Sequence, residues 1–240
     1  MSKEYIWNPK VKGSGLITCI PQSEKCPQNC PDCFFQSGRS YLEPLEENLP
    51  HIPPIYLTKG RIVRVNDGND SNVQRETVER IARQFRDYFF NTSIPKDLQS
   101  FSAPVVLTVN PANLTDLGFH RLTEIPSNLM YIRIRVNMWN LDNVVKPAVG
   151  YYSSKEVPII LTFMAYYTQS IPEKYKNCYE WKKRTINSYW VLKQDNINEV
   201  INLFQDNSWV YTCGYKGQHA CRFCGNCIRE YYNTKERNER

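Results

Sequence analysis

The stretch Val105-Val-Leu-Thr-Val109 is a continuous run of apolar and β-branched residues that ends at Asn110. Such a run is typical of a strand in a parallel sheet covered on both faces. Further short runs of this kind end in polar or glycine-containing sequence: Gly15–Ile20, Arg61–Val65, Tyr131–Val136, Val157–Thr162 and Trp209–Cys213. The sequence therefore predicts six parallel strands.

Helical patterns lie between these runs. The clearest is Asn72–Phe90, where apolar residues recur at spacings of three to five. Asp195 is expected to cap a short helix that reaches Phe204, and Thr115–Leu122 and Asp142–Tyr152 are further candidates. Strands alternating with helices imply βαβ units, and six units are fewer than the eight of a closed barrel. We therefore expect an α/β fold, a (β/α)6 partial TIM barrel of parallel strands.

Two long segments lack a clear pattern. Gln36–Thr58 is rich in Pro and Glu, and Ser170–Lys193 is an aromatic-rich insertion before the last predicted helix. Loops of this length inside a domain are usually functional lids or contain elements of their own. Its aromatic part, Tyr175–Trp190, is therefore a candidate cover for a site, and packing of these residues in the core is the alternative.

The composition bounds the class of protein. The chain has 240 residues, of which 41% are hydrophobic and 22% charged, as in ordinary globular proteins. No apolar run approaches the roughly 18 residues of a membrane span, and the N-terminus lacks the apolar core of a secretory signal. We expect one domain over residues 1–240 with a cysteine-rich metal-binding segment at residues 213–227, a cytoplasmic location and no membrane partner.

Nine cysteines are the most informative part of the composition. Disulfides are rare in the cytosol, so clustered cysteines there indicate metal binding or catalysis. All but Cys178 fall into two groups, one near each end of the chain: Cys19, Cys26, Cys30 and Cys33, then Cys213, Cys221, Cys224 and Cys227.

The first group contains Cys26-Pro-Gln-Asn-Cys30-Pro-Asp-Cys33, directly after the first predicted strand. Three thiolates can hold three irons of a cubane cluster and leave the fourth iron without a protein ligand. An open coordination position distinguishes a catalytic metal from a structural one. The alternative is a closed zinc site in which Cys19 supplies the fourth thiolate.

This Cys-x3-Cys-x2-Cys spacing, in a loop after the first strand of a β/α pattern, resembles the radical S-adenosylmethionine (SAM) superfamily. Many members carry an aromatic residue just before the third cysteine, where this chain has Asp32. The resemblance implies a [4Fe-4S] cluster on Cys26, Cys30 and Cys33, with SAM bound at its open iron. It also implies reductive cleavage of SAM to a 5′-deoxyadenosyl radical, and an electron donor of the flavodoxin or ferredoxin type.

The second predicted strand runs into the polar segment Asn66–Asn72. Barrel enzymes place their sites at the carboxyl ends of strands, and radical SAM proteins have a Gly-Gly-Glu-like motif here that holds the amine of SAM. The resemblance implies that SAM is contacted by Asp67, Gly68, Asn69 and Asp70. The alternative is a turn in which Asn72 caps the next helix, and both roles can hold at once.

Two further amides close predicted strands. Asn110 follows strand three and Asn137 follows strand four. Amides at successive strand ends form a converging polar rim that suits ribose hydroxyls or a polar substrate. Both residues are therefore predicted cofactor contacts.

The second cysteine group is Cys221-Arg-Phe-Cys224-Gly-Asn-Cys227, with Cys213 as a fourth thiolate at the end of the last strand. The spacing is similar to a ferredoxin run. Four thiolates also satisfy a closed tetrahedral zinc site. The sequence predicts a second metal site and leaves its metal open between iron–sulfur and zinc.

The compact chain favours a small soluble substrate. Its layout is similar to radical SAM members that act on deazapurine bases, the queuine lyases first, which implies cleavage of a carbon–nitrogen bond in queuine or a related base. An activase that makes a glycyl radical on a partner protein is the alternative within the class. A zinc-binding interaction module is the alternative outside it, supported by the net charge of +6 and the basic tail Lys235–Arg240. Nucleic acid is not expected as a partner, and association into a homo-oligomer is left open.

Overall fold

Ten strands and seven helices occupy the part of the chain that the computed structural model describes, residues 4–28, 30, 33, 35, 40–109, 119–163, 165–167, 171–184, 188–213 and 220–239. The strands are β1 Leu16–Cys19, β2 Ile62–Val65, β3 Tyr88–Thr92, β4 Val105–Val109, β5 Leu129–Val136, β6 Ile159–Phe163, β7 Ala165–Tyr166, β8 Tyr179–Lys182, β9 Tyr189–Leu192 and β10 Val210–Thr212. The α-helices are α1 Leu45–Asn48, α2 Ile55–Thr58, α3 Arg75–Ala82, α4 Lys146–Ser153, α5 Gln194–Asn202, α6 Cys221–Cys224 and α7 Asn226–Glu239.

Seven of these strands form one parallel sheet in the order β1-β2-β3-β4-β5-β6-β10. Every neighbouring pair is parallel, and the sheet curls into an open half-barrel. Because all seven strands run in the same direction, their carboxyl ends meet at one edge of the sheet. The mixed α/β class and the parallel strands are confirmed, but the predicted count of six is wrong.

The strand missing from the prediction is β3. The pattern predicted one helix over Asn72–Phe90, whereas α3 ends at Ala82 and the chain turns before Tyr88. Three consecutive aromatic residues followed by Asn91 and Thr92 fit a pleated surface better than a helix. Phe89 and Phe90 then point to opposite faces of the sheet, and both are fully buried.

The other predicted helices have mixed outcomes. Asp195 lies in the first turn of α5 instead of at its cap, which is Lys193. The Asp142–Tyr152 pattern is confirmed as a π-helical turn at Leu141–Val145 that continues into α4. Residues 115–118 of the Thr115–Leu122 candidate lie outside the described residues, and residues 119–122 are not helical.

The sheet has a core on each face. On the outer face, α3 and α4 pack Val78, Ile81 and Val149 against the strands. On the inner face, α7 lies in the half-barrel and packs Tyr231 among Phe89 and Tyr131. The inner face is therefore shared by strand residues and α7.

The aromatic insertion contains structure of its own. Its strands β8 and β9 form an antiparallel sheet with β7, which precedes the insertion, and a 3₁₀ helix covers Glu173–Cys178. Tyr166 and Tyr179 pack with Trp139, whose ring centroid lies 4.8 Å from that of Tyr166. The second patternless segment, Gln36–Thr58, contains α1 and α2. Within the described ranges, no helix combines the length and apolarity needed to cross a bilayer.

Candidate metal and cofactor site

The first cysteine loop leaves the sheet at the carboxyl end of β1. Cys26 is buried, and Cys30 and Cys33 are half-buried, with the amide of Cys33 donating to the carbonyl of Cys30 at 3.1 Å. Burial, together with smaller contributions from the nearby Asp70, Cys30 and Cys33, raises the pKa of the Cys26 thiol to about 11. The three thiols are thus electrostatic neighbours in one loop.

Cys19 has a different environment. Its side chain is fully buried in the outer core with Val63 and Val65, and this burial raises the pKa of its thiol. A thiol held in an apolar core is an inert packing group. This position favours the three-cysteine arrangement over the closed zinc site that would need Cys19.

In the positions that the structure gives to the described residues, no group of three or more His, Cys, Asp and Glu side chains is already arranged around a metal position. The donor set itself fits iron–sulfur or zinc, because thiolates are soft ligands that do not suit Mg²⁺ or Ca²⁺.

The loop after β2 packs directly on the first cysteine loop. Asn69 donates from Nδ2 to the carbonyl of Glu24 at 3.0 Å. Gly68 lies against the ring of Phe35, so that a Cβ at Gly68 would be 2.2 Å from Phe35 Cδ2. The segment predicted to bind SAM is therefore beside the predicted cluster loop, and its glycine makes room for Phe35.

Gly68→Ala is expected to lower the free energy of unfolding by about 1–3 kcal/mol, because a buried Cβ must displace the Phe35 ring. Phe35→Leu in the same chain should recover part of that loss, which urea denaturation of both single variants and the double variant would measure. The control is Gly150→Ala in α4, where a Cβ meets nothing within 4 Å and a gain of about 0.5–1 kcal/mol is expected. Additive losses at Gly68 and Phe35 would contradict the contact.

Both carboxylates of the β2 loop are bonded within the chain. Asp67 forms an ion pair with Arg64, at 2.7 Å between Oδ2 and Nη2, and accepts a hydrogen bond from Asn8. Asp70 accepts four hydrogen bonds, two on each oxygen, from the amide of Asn72, the hydroxyl of Thr92 and both the amide and hydroxyl of Ser93. Asp70 therefore ties this loop to the end of β3.

Two of the amide residues singled out in the sequence, Asn137 and Asn72, have structural partners. Asn137 is buried, and its Oδ1 accepts from the amide of Asn140 at 2.8 Å, so it caps the 3₁₀ turn Met138–Asn140. Asn110 lies outside the described residues. Asn72 does not cap α3, whose N-cap is Gln74; its side-chain amide instead donates to the carbonyl of Ile94 at 2.8 Å.

A row of charged and polar residues on the inner face was not predicted. Each member lies two or four positions after a strand residue of the inner core and is therefore on the same face. The members are Arg64 on β2, Asn91 on β3, and Arg133 and Arg135 on β5. Arg135 lies near the thiols of Cys33 and Cys30, and burial lowers the pKa of its guanidinium. The signal was the alternation in Tyr131-Ile-Arg-Ile-Arg-Val136, which is typical of a strand with two different faces.

The second cysteine group lies at the open end of the inner face. Cys213 follows β10 at the edge of the sheet, Cys221 and Cys224 begin and end α6, and Cys227 is in the first turn of α7. The side chains of Cys213 and Cys224 share a hydrogen bond, which together with burial raises the pKa of Cys213. Burial also raises the pKa of Cys221. The four thiols are thus brought to one region by three separate elements.

No family model, no curated protein and no solved structure matches the chain. What it does is therefore inferred from its own residues and contacts.

Proposed function

We propose that the chain is a radical SAM enzyme on a partial (β/α) barrel of the TIM type. The observation that carries this proposal is the position of three thiols in one loop, Cys26, Cys30 and Cys33, at the carboxyl end of the first parallel strand. The location of Cys19 in the core supports it, because a fourth thiolate would close the coordination site. The packing of residues 67–70 against this loop is also what such a site requires.

The cluster, when bound, would supply the electron that splits SAM into methionine and a 5′-deoxyadenosyl radical. The chain's own residues would bind and shield the reactants. The Asn69 side chain and the backbone at Gly68 are next to the cysteine loop, while Arg135 presents a guanidinium beside Cys30 and Cys33. A guanidinium in this position suits a carboxylate, such as that of SAM, through paired hydrogen bonds.

The small antiparallel sheet would exclude water from this edge. Tyr166 of β7 lies near Arg135, and its ring packs with Trp139 and Tyr179. Water exclusion protects a reactive intermediate from side reactions. The substrate remains the prediction made from the sequence, a small molecule of the deazapurine type, with glycyl radical activation as the alternative within the class.

The test compares the wild type with a variant in which Cys26, Cys30 and Cys33 are all alanine, both purified and reconstituted without oxygen. We expect the variant to lose about four irons and four sulfides per chain and to lose 5′-deoxyadenosine formation from SAM and dithionite. Cys178→Ala is the matched control, since Cys178 is half-buried in the aromatic cluster of the small sheet, and it should keep both properties.

Two outcomes would contradict the proposal. A wild type that binds zinc without sulfide would support the zinc-binding interaction module. A wild type that holds a cluster at the first loop but whose electron paramagnetic resonance signal does not change with SAM would mean that the fourth iron is not open to the cofactor.

A further inference from the structure

Two arginines on the inner face of the sheet lie close to the second cysteine group. Arg64 is 7% exposed and donates from Nη1 to the sulfur of Cys221 at 3.7 Å. Arg133 donates from Nη2 to the hydroxyl of Tyr131 at 3.0 Å, and that hydroxyl lies 3.1 Å from the sulfur of Cys227. Each guanidinium is therefore connected to a cysteine, one directly and one through a tyrosine.

The charges of this region do not balance while the cysteines are neutral thiols. Arg64 is paired with Asp67, but the hydrogen bonds of Arg133 go to neutral groups, the Oδ1 of Asn91 at 3.1 Å and the hydroxyls of Tyr131 and Thr108. A buried charge is costly unless an opposite charge accompanies it. Among the described residues, groups near Arg133 that could carry negative charge include Tyr131 and the thiols of Cys227 and Cys213.

We infer that Cys213, Cys221, Cys224 and Cys227 form an anionic metal–thiolate centre that Arg64 and Arg133 neutralise from inside the half-barrel. In this centre, Tyr131 donates a hydrogen bond to the thiolate of Cys227. Four thiolates around Zn²⁺, or around an oxidised four-iron cluster, carry a charge of about −2. Arg133 offsets one unit of this charge, and Arg64, which also pairs with Asp67, offsets part of the other. The inference does not rest on the proposed function, since it uses none of the first loop's cysteines.

The contacts also show which cysteines face the interior and which one faces the surface. Cys221 and Cys227 face inward to Arg64 and Tyr131, whereas Cys224 lines a surface cleft of about 370 Å³ together with the exposed Phe223. Metal-bound cysteines of this kind are oriented by the groups that donate hydrogen bonds to their sulfurs. The arginines and Tyr131 are therefore positioning residues for the centre, and the thiolates are its ligands.

The experiment uses a parent chain in which Cys26, Cys30 and Cys33 are alanine, so that only the second group can hold metal. Zinc, iron and sulfide are measured after anaerobic purification, and affinity is measured by competition with a chelator. We expect one metal centre per chain in the parent and a 10–100-fold loss of affinity in Arg133→Gln and Arg64→Gln. Arg133→Lys should retain more affinity than Arg133→Gln because it keeps the charge.

Thermal unfolding separates charge compensation from a purely structural role. Without metal, the Arg133→Gln variant should be at least as stable as the parent, because the substitution removes an uncompensated buried charge. With metal bound, the variant should be less stable than the parent. Arg80→Gln on the exposed side of α3 is the control and should change neither value.

A parent that retains no metal, arginine variants with the parent's affinity, or an Arg133→Gln chain that is destabilised or unfolded even without metal would each overturn the inference. None of these readouts involves SAM. Failure of this inference is therefore distinguishable from failure of the proposed radical chemistry.

Discussion

Phe90→Ala is expected to lower the free energy of unfolding by about 3–5 kcal/mol, measured by urea denaturation. Phe90 is fully buried on the outer face of β3, and its ring centroid lies 4.8 Å from that of Phe101. Truncation to alanine removes a large apolar side chain and leaves a cavity between the sheet and α3. Phe90→Leu fills most of that space and should cost much less.

Comparing Phe90 with its neighbour Phe89 tests whether this segment is a strand. Phe89 is also fully buried, but against Tyr231 on the inner face, so Phe89→Ala should cost a similar amount. Tyr56→Ala is the control, since Tyr56 is 69% exposed and its loss should cost about 0.5 kcal/mol or less. A large effect at one of the two phenylalanines and none at the other would contradict the strand and favour a one-sided helix.

The same residues explain which parts of the fold the sequence could predict. Runs such as Val105–Val109 are apolar throughout, and their period and length identify them as buried strands. The helix predicted over Asn72–Phe90 was too long because Phe85 and Phe89 are four residues apart, as on one face of a helix. Nothing local indicates that the helix ends at Ala82; the pairing of Phe90 with Val105 on β4 depends on chain far away in sequence.

The candidate site was predictable in position but not in its contacts. The end of β1 and the end of β2 lie next to each other in any parallel sheet with that strand order, so the cysteine loop and residues 67–70 had to be neighbours. Arg64 and Arg133 were missed because strands were identified from apolar residues alone. That Gly68 receives Phe35 depends on packing between two loops, which no spacing in the sequence encodes.

Asp70→Ala is expected to destabilise the chain by about 4 kcal/mol or more in the absence of any cofactor. The Asp70 carboxylate is 4% exposed and accepts four hydrogen bonds, at 2.6 Å from Thr92 Oγ1 and 2.7 Å from the Ser93 amide at the closest. Hydrogen bonds to a charged group contribute about 1.5–3 kcal/mol each. The hydroxyls can rotate to other acceptors, but the part-buried amides of Asn72 and Ser93 would lose the carboxylate that accepts their hydrogen bonds.

Asp70→Asn and Asp142→Ala complete the experiment. The asparagine keeps one acceptor oxygen, but its amide NH₂ group faces the remaining hydrogen-bond donors. The stability of Asp70→Asn should therefore lie between those of the wild type and Asp70→Ala. Asp142 is a surface carboxylate, 79% exposed and paired with Lys146, and its replacement should change stability by about 0.5 kcal/mol or less. A metal-free Asp70→Ala chain as stable as the wild type would mean that the carboxylate is held for a bound group and not for the junction of the β2 loop with β3.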